Sequence, residues 1–174
     1  MFLENSNLND LLRRIKDKDI KALEELYSVM KNCVYGLAFT YTKSHSDSED
    51  IVQDTFLNIW EKCSHYKENN PKAWIMTITK NLAKNCIKKN KMSSELNEDI
   101  YAKDEFSKVF DTDMINTLLS NLKETECQII VMYSYGFTHA EIAEILSIPA
   151  PTVRWKYTNA IKKLVKITGG EKND

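Results

Sequence analysis

The amino-acid sequence predicts an all-α fold of two helical domains joined by an acidic, flexible linker. Three observations carry that expectation. Apolar residues recur at helical spacing along most of the chain. Glycine (4) and proline (3) are too scarce for the many turns of sheets or barrels. Between two such stretches, residues 93–113 hold seven acids, two lysines and few apolar side chains, which is the composition of a linker. The expected units are therefore residues 1–92 and 114–174, with 93–113 between them.

Each element has its own signal. Leu8, Leu11, Leu12 and Ile15 form one stripe. Ala22, Leu23, Leu26, Tyr27, Met30, Val34, Leu37 and Ala38 form a second, with a break near Asp17–Asp19. Ser46 to Glu49 fits a capping box, which predicts a third helix running to about Lys62. Its core stripe is Val52, Phe56, Ile59, Trp60 and Cys63, with Asp47, Asp50, Asp54, Asn58 and Glu61 on the other side. Asn70 is a good N-cap and Pro71 suits a first helical position, so a fourth helix is expected from Pro71 to about Lys89. It places Trp74, Ile75, Ile78, Leu82 and Cys86 inward, with Thr77, Lys80, Lys84 and Lys88 roughly opposite.

In the last part of the chain, Thr125–Gln128 and Thr138–Glu141 both fit capping boxes, and Gly136 between them suits a left-handed helix end. Ser147-Ile148-Pro149 makes a tight turn before a final helix from Pro151 to about Lys166.

Composition bounds the function. A hydrophobic fraction of 43% with 28% charged residues is ordinary for a globular protein. The net charge of −1 and pI near 6.3 differ from the strongly basic balance of proteins that bind DNA unaided. DNA binding here is expected to be local or assisted by a partner. Cys33, Cys63, Cys86 and Cys127 show no paired spacing and read as reduced thiols. His45, His65 and His139 show no ligand spacing, so neither a metal nor another cofactor is expected. No nucleophile–base constellation suggests an enzyme. No segment approaches the roughly 18 apolar residues of a membrane span, and the N-terminus lacks a signal-peptide core. The expected location is cytoplasmic, without membrane insertion.

Three constellations point to function. First, capped helices and a short turn precede a longer helix, which is the pattern of a helix-turn-helix. Val153, Tyr157, Ala160 and Leu164 face inward, while Thr152, Trp155, Thr158, Asn159 and Lys162 face outward with Arg154 on the flank. Residues 147–166 carry five basic side chains and no acid, as a helix entering a phosphate-lined groove requires.

Second, residues 62–92 hold eight lysines against Glu68, interleaved with His65, Tyr66 and Trp74. Lysines on one face can follow a phosphate backbone, and an Asn- and aromatic-rich loop can hold unstacked bases. Trp74 lies on the core stripe and reads as packing. Third, residues 47–61 carry five acids and no basic residue, a surface suited to a basic protein partner.

Taken together, the chain resembles a bacterial extracytoplasmic-function (group 4) sigma factor, which has only the second and fourth conserved regions. The resemblance runs from about Asp10 to Leu164. It rests on SEDIVQDTFLNIWEK and PKAWIMTITKNLAKNCIKK in the front half, and on YGFTHAEIAEILSIPAPTV in the back half. It implies that Asp47, Glu49, Asp50, Gln53, Asp54, Asn58, Trp60 and Glu61 bind the RNA polymerase core. It implies that Asn69, Asn70, Lys72, Thr77, Lys80, Asn81, Lys84 and Lys88 engage the −10 element and its melted strand. Thr138, Pro151, Thr152, Arg154, Trp155, Lys156, Thr158 and Lys162 would engage the −35 element.

RNA polymerase core and promoter DNA are the implied partners, and the resemblance also admits an anti-sigma protein. The chain departs from the family pattern at Lys123 (usually Pro), Ser147 and Pro151 (usually Gly) and Trp155 (usually small), and Asn159 and Ile161 stand where arginines are common. A stand-alone helix-turn-helix regulator is the alternative, but it leaves the acidic face unexplained. A second alternative is an interaction protein that keeps the fold and sequesters a partner, against which the lysine faces count.

Overall fold

A computed structural model describes residues 5–67, 69–94 and 120–167. All regular elements among them are helical. Helix α1 spans Asn5–Lys16 and buries Leu8, Leu12 and Ile15. The chain then reverses at Lys18, where φ is 62°. Asp19 caps α2 (Ile20–Thr42) by accepting the Lys21 and Ala22 N–H groups. Arg14 bridges the same corner, 2.8 Å from Asp19 and 3.2 Å from Glu25. The expected break at Asp17–Asp19 is thus a capped turn.

Helix α3 (His45–Lys62) begins two residues earlier than the S-x-x-E pattern suggests. Ser44, not Ser46, is its N-cap, and its Oγ accepts the Asp47 N–H at 3.2 Å. The cause lies upstream: Lys43 leaves α2 in the left-handed conformation (φ 54°), which delivers an extended backbone to Ser44. A 3-10 turn, Cys63–His65, follows. Helix α4 (Pro71–Ser94) starts as expected, with Asn70 Oδ1 accepting the Ala73 N–H at 3.1 Å, but runs beyond Lys89. The acidic segment 93–113 lies outside the described residues except for its first two positions, which belong to α4.

Helix α5 (Glu124–Ser134) is also capped differently from expectation. Thr125 lies inside the helix, and the Lys123 N–H donates to the Glu126 carboxylate at 2.9 Å. The helix ends through Gly136 (φ 81°), with the Phe137 N–H reaching the Met132 carbonyl. Helix α6 (His139–Leu146) carries the full expected box: Thr138 Oγ1 accepts from the Glu141 N–H, and Glu141 accepts from the Thr138 N–H. Ser147 closes it in the left-handed conformation (φ 58°), and α7 (Ala150–Ile167) follows.

The core is continuous across both halves of the chain. Leu12, Met30, Val34, Phe56, Ile59, Ile75 and Met76 from the front helices form one buried cluster with Ile129, Met132, Phe137, Ile142, Ile145 and Val153 from the back. A smaller cluster of Leu122, Cys127 and Ala160 joins α5 to α7. Helix α5 lies on α2, and α6 lies on α4. The approach of α2 to α5 depends on Gly36, where an added Cβ would stand 2.9 Å from Val131 Cγ1. All four cysteines are unpaired, and burial pushes the Cys33 and Cys63 thiols up, which keeps them protonated and unreactive.

Ser147 holds a backbone conformation that glycine adopts without steric cost. Ser147→Gly is expected to raise stability by about 0.5–1 kcal/mol, and Ser147→Val to lower it by more than that, both read from thermal unfolding.

Candidate functional site

Helix α3 presents its acids outward because Ile51, Val52, Thr55, Phe56 and Ile59 take the inner face. Glu49, Asp50, Gln53, Asp54 and Glu61 are exposed, and Asp47 and Asn58 are half-buried. Asp47 accepts a hydrogen bond from the Asn90 amide at 3.0 Å, and Asn58 accepts one from Lys62 at 2.5 Å. Trp60 is half-buried against the core, with the Lys18 ammonium 4.8 Å above its ring. The sequence reading passed over Leu57, which is 59% exposed. It sits three residues after Asp54 and four before Glu61, so helical spacing puts it inside the acidic face.

Helix α4 divides its lysines in a way the pattern did not foresee. Lys84, Lys88, Asn81 and Asn69 are exposed, while Asn70 and Thr77 are half-buried. Lys80, expected opposite the apolar stripe, is 8% exposed, and Lys72, given to the −10 element, is 6% exposed. The Lys80 ammonium donates to the Ile145 carbonyl at the end of α6 and lies 3.5 Å from Ser147 Oγ. The Lys72 ammonium donates to the Gly136 carbonyl at 3.4 Å and stands 5.3 Å from the Phe137 ring centre.

Helix ends leave carbonyls without intrahelical partners and carry partial negative charge, so an ammonium group is stabilised there. Burial pulls the Lys80 pKa down, and the neighbouring Lys84 charge adds to this. Two further contacts join the halves: Asn70 to Glu144 and Asn5 to Glu141, both at 3.2 Å. Periodicity carries no signal for any of these, since each pairs groups more than sixty residues apart.

The loop aromatics also divide. Tyr66 is buried, stacks at a tilt on Trp74 with centroids 5.0 Å apart, and donates its hydroxyl to Asn9 at 2.7 Å. It cannot stack on a base from there, whereas His65 remains exposed. Trp74 packs as the stripe predicted.

On α7, Val153 and Ala160 are buried and Tyr157 and Leu164 half-buried, which turns the opposite face to solvent. Pro151, Arg154, Trp155, Thr158 and Lys162 are exposed, and Thr152, Lys156 and Asn159 are half-buried. Thr138 is exposed at the start of α6, where its side chain is used as a cap.

Beside the outer face of α7 lies a groove of about 370 Å³, which brings Lys123, Lys163 and Lys166 alongside Trp155, Lys156, Asn159 and Lys162. Lys123 and Lys163 enter this basic surface only through the fold. The acid in the groove, Glu126, is neutralised by Lys163 at 2.7 Å. Burial alone would push the Glu126 carboxyl up, but the Lys163 ammonium and the Lys123 N–H outweigh it and hold it below its ordinary range. No described helix is long and apolar enough to cross a membrane, and no described group of three or more His, Cys, Asp or Glu could hold a metal.

Comparison with known proteins finds the same two halves. Residues 26–92 match the family model of sigma-70 region 2, and residues 112–164 match that of sigma-70 region 4. The chain is 24% identical over 178 residues to an ECF RNA polymerase sigma factor, SigK, of Mycobacterium sp. (strain JLS), covering 94% of this chain and 92% of that protein. SigK of Mycobacterium tuberculosis (strain ATCC 25618 / H37Rv) is 24% identical over 173 residues, at 92% of each chain.

Among solved structures, the sigma factor RpoE bound to the anti-sigma factor NepR from Bartonella quintana superposes with a TM-score of 0.71 at 19% identity, over 86% of this chain and 98% of that one. CnrH, solved in complex with the cytosolic domain of CnrY, gives 0.68 at 17% identity, over 95% of this chain and 99% of that one.

Two measurements probe the geometry. Gly36→Leu drives a side chain into Val131, and is expected to enlarge the radius of gyration in small-angle scattering while helical circular dichroism stays unchanged. Glu126 contributes stability above its ordinary pKa, and this is lost as pH falls through the lowered folded value. Glu126→Gln should therefore be less stable near neutrality, with a shallower further loss below about pH 4.5.

Proposed function

We propose that this chain, which belongs to the sigma-70 family in its two-region extracytoplasmic-function form, directs bacterial RNA polymerase core to particular promoters and helps to open them. The observation that carries this reading is the pairing of faces. An outward acidic helix and an outward basic recognition helix sit in the same chain, in the region 2 and region 4 segments respectively. Residues 1–92 are assigned to core and −10 binding, 114–174 to −35 binding, and 93–113 to the connection.

The acidic face of α3, with Asp50, Asp54 and Glu61 around Leu57, meets a basic surface of the polymerase. Asn69, Asn81, Lys84 and Lys88 follow the −10 strand, and bases that leave the duplex are held there. Helix α7 enters the major groove over the −35 element. The family generally supplies non-enzymatic initiation factors, and the role requires no catalytic group. The work takes place where the polymerase is, in the cytoplasm. A partner of the anti-sigma class is proposed by extension from the bound state of RpoE.

This role requires the two halves to separate. Elements about 25 base pairs apart lie ~85 Å apart along a duplex. A compact chain of 174 residues has a radius of gyration of only ~16 Å. Lys72 and Lys80 reach a nucleic acid only after leaving the carbonyls of Gly136 and Ile145. Polymerase core, by binding the halves at a fixed separation, supplies the free energy for that step.

Run-off transcription with purified core on fragmented genomic DNA of the source organism tests the proposal. New discrete start sites are expected only when the protein is added, and their upstream sequences give both elements. Sequence-specific DNA binding without core, and no new transcripts with it, would sink it. Reversing charge with Asp50→Lys and Asp54→Lys should weaken core binding at least about tenfold, measured by titration of labelled protein into core.

A further inference from the structure

Trp155 is the feature of the basic surface that phosphate binding leaves unexplained. It is 64% exposed, more than any other large apolar side chain among the described residues. It lies on the side of α7 opposite Val153 and Ala160, within the first two turns of the helix. Around it in the groove stand Lys123, Lys156, Lys162 and Lys166, with Asn159 one turn further along. Lysines that bind phosphates hold the helix in register, and a phosphate contact carries no base selection. An aromatic side chain left in water at the centre of such a surface implies an apolar partner that arrives with the phosphates.

The chemistry of the major groove narrows that partner to one group. Guanine offers two acceptors and is read by a forked donor such as arginine. Indole has a single N–H donor and cannot make that fork. Adenine and cytosine present polar edges. Thymine alone presents a methyl group to the major groove, and side chains with apolar surface contact it there. Asn159 carries the amide that pairs with the N6 and N7 edge of adenine. It lies four residues after Trp155 and therefore on the same face.

Resting on the promoter-binding reading above, we propose that Trp155 selects a thymine in the −35 element by packing its indole against the 5-methyl group. Asn159 faces the neighbouring base step.

The test uses holoenzyme reconstituted from core and the full chain, on the promoter mapped by run-off transcription. Each thymine of the −35 element is replaced in turn by deoxyuridine, which removes one methyl group and leaves base pairing intact. Removing one buried methyl is expected to weaken binding about fourfold at one position, with little effect at the others. Trp155→Ala should lower affinity and abolish the deoxyuridine effect at that position, while Trp155→Phe should retain part of both. Circular dichroism of each variant controls for folding.

The inference is overturned if no position responds to deoxyuridine, or if Trp155→Ala leaves the methyl effect intact. It is also overturned if Trp155→Ala leaves promoter affinity unchanged, which would assign the side chain to a protein partner. Scrambling the whole −35 element separates the two levels: no effect on wild-type holoenzyme would refute −35 recognition itself.

Discussion

The arrangement of this protein turns on two lysine ammonium groups that cross from one half of the chain to the other. Lys72 and Lys80 lie on α4, one in its first turn and the other about two turns on, and donate to carbonyls at the ends of α5 and α6. Those carbonyls have no partner within their own helices, so each ammonium group satisfies an acceptor that would otherwise need water. The bonds are shielded, since both side chains are nearly buried. Removing one partner would leave a buried charge or a buried carbonyl alone, which costs more than the bond itself contributes.

In this closed arrangement a nearly neutral protein carries two separate basic faces. Two of the lysines of α4 are occupied internally, and α7 packs on α5 and α6, which in turn lie on α2 and α4. The exposed remainder, Lys84 and Lys88 on one side and Arg154 and Lys162 on the other, forms two separate basic surfaces. The acidic face of α3 stays open as well, with Glu49, Asp50, Asp54 and Glu61 exposed.

Departures from the family pattern have local physical roles. Ser147 takes a left-handed conformation where glycine is usual, and its hydroxyl stands near Lys80. Lys123 replaces a proline that has no N–H, and here the N–H of that residue is bonded to Glu126. Glu126 in turn is held by Lys163 from α7. The start of α5 and α7 are therefore tied through one carboxylate, which lies in the groove beside Trp155.

Much of this was legible in the sequence because it depends on groups close along the chain. The box of Thr138 and Glu141, the cap at Asn70, the turn through Gly136 and the outward acids of α3 each involve residues within one or two helical turns. The caps of α3 and α5 stand elsewhere than the sequence patterns suggest: Lys43 turns the chain left-handed before Ser44, and the Glu126 carboxylate takes the Lys123 N–H. Lys80 looked exposed because helical spacing sets it apart from the apolar stripe of its own helix, and Tyr66 looked available because it lies in a loop whose partner Asn9 is 57 residues away.

The sequence by itself determined the helices, their apolar stripes and the sorting of charge between α3, α4 and α7, since these follow from backbone periodicity and local hydrogen bonding. Only the tertiary structure decided which lysines remain free, because that depends on carbonyls brought in from residues 136 and 145, beyond the reach of any local pattern.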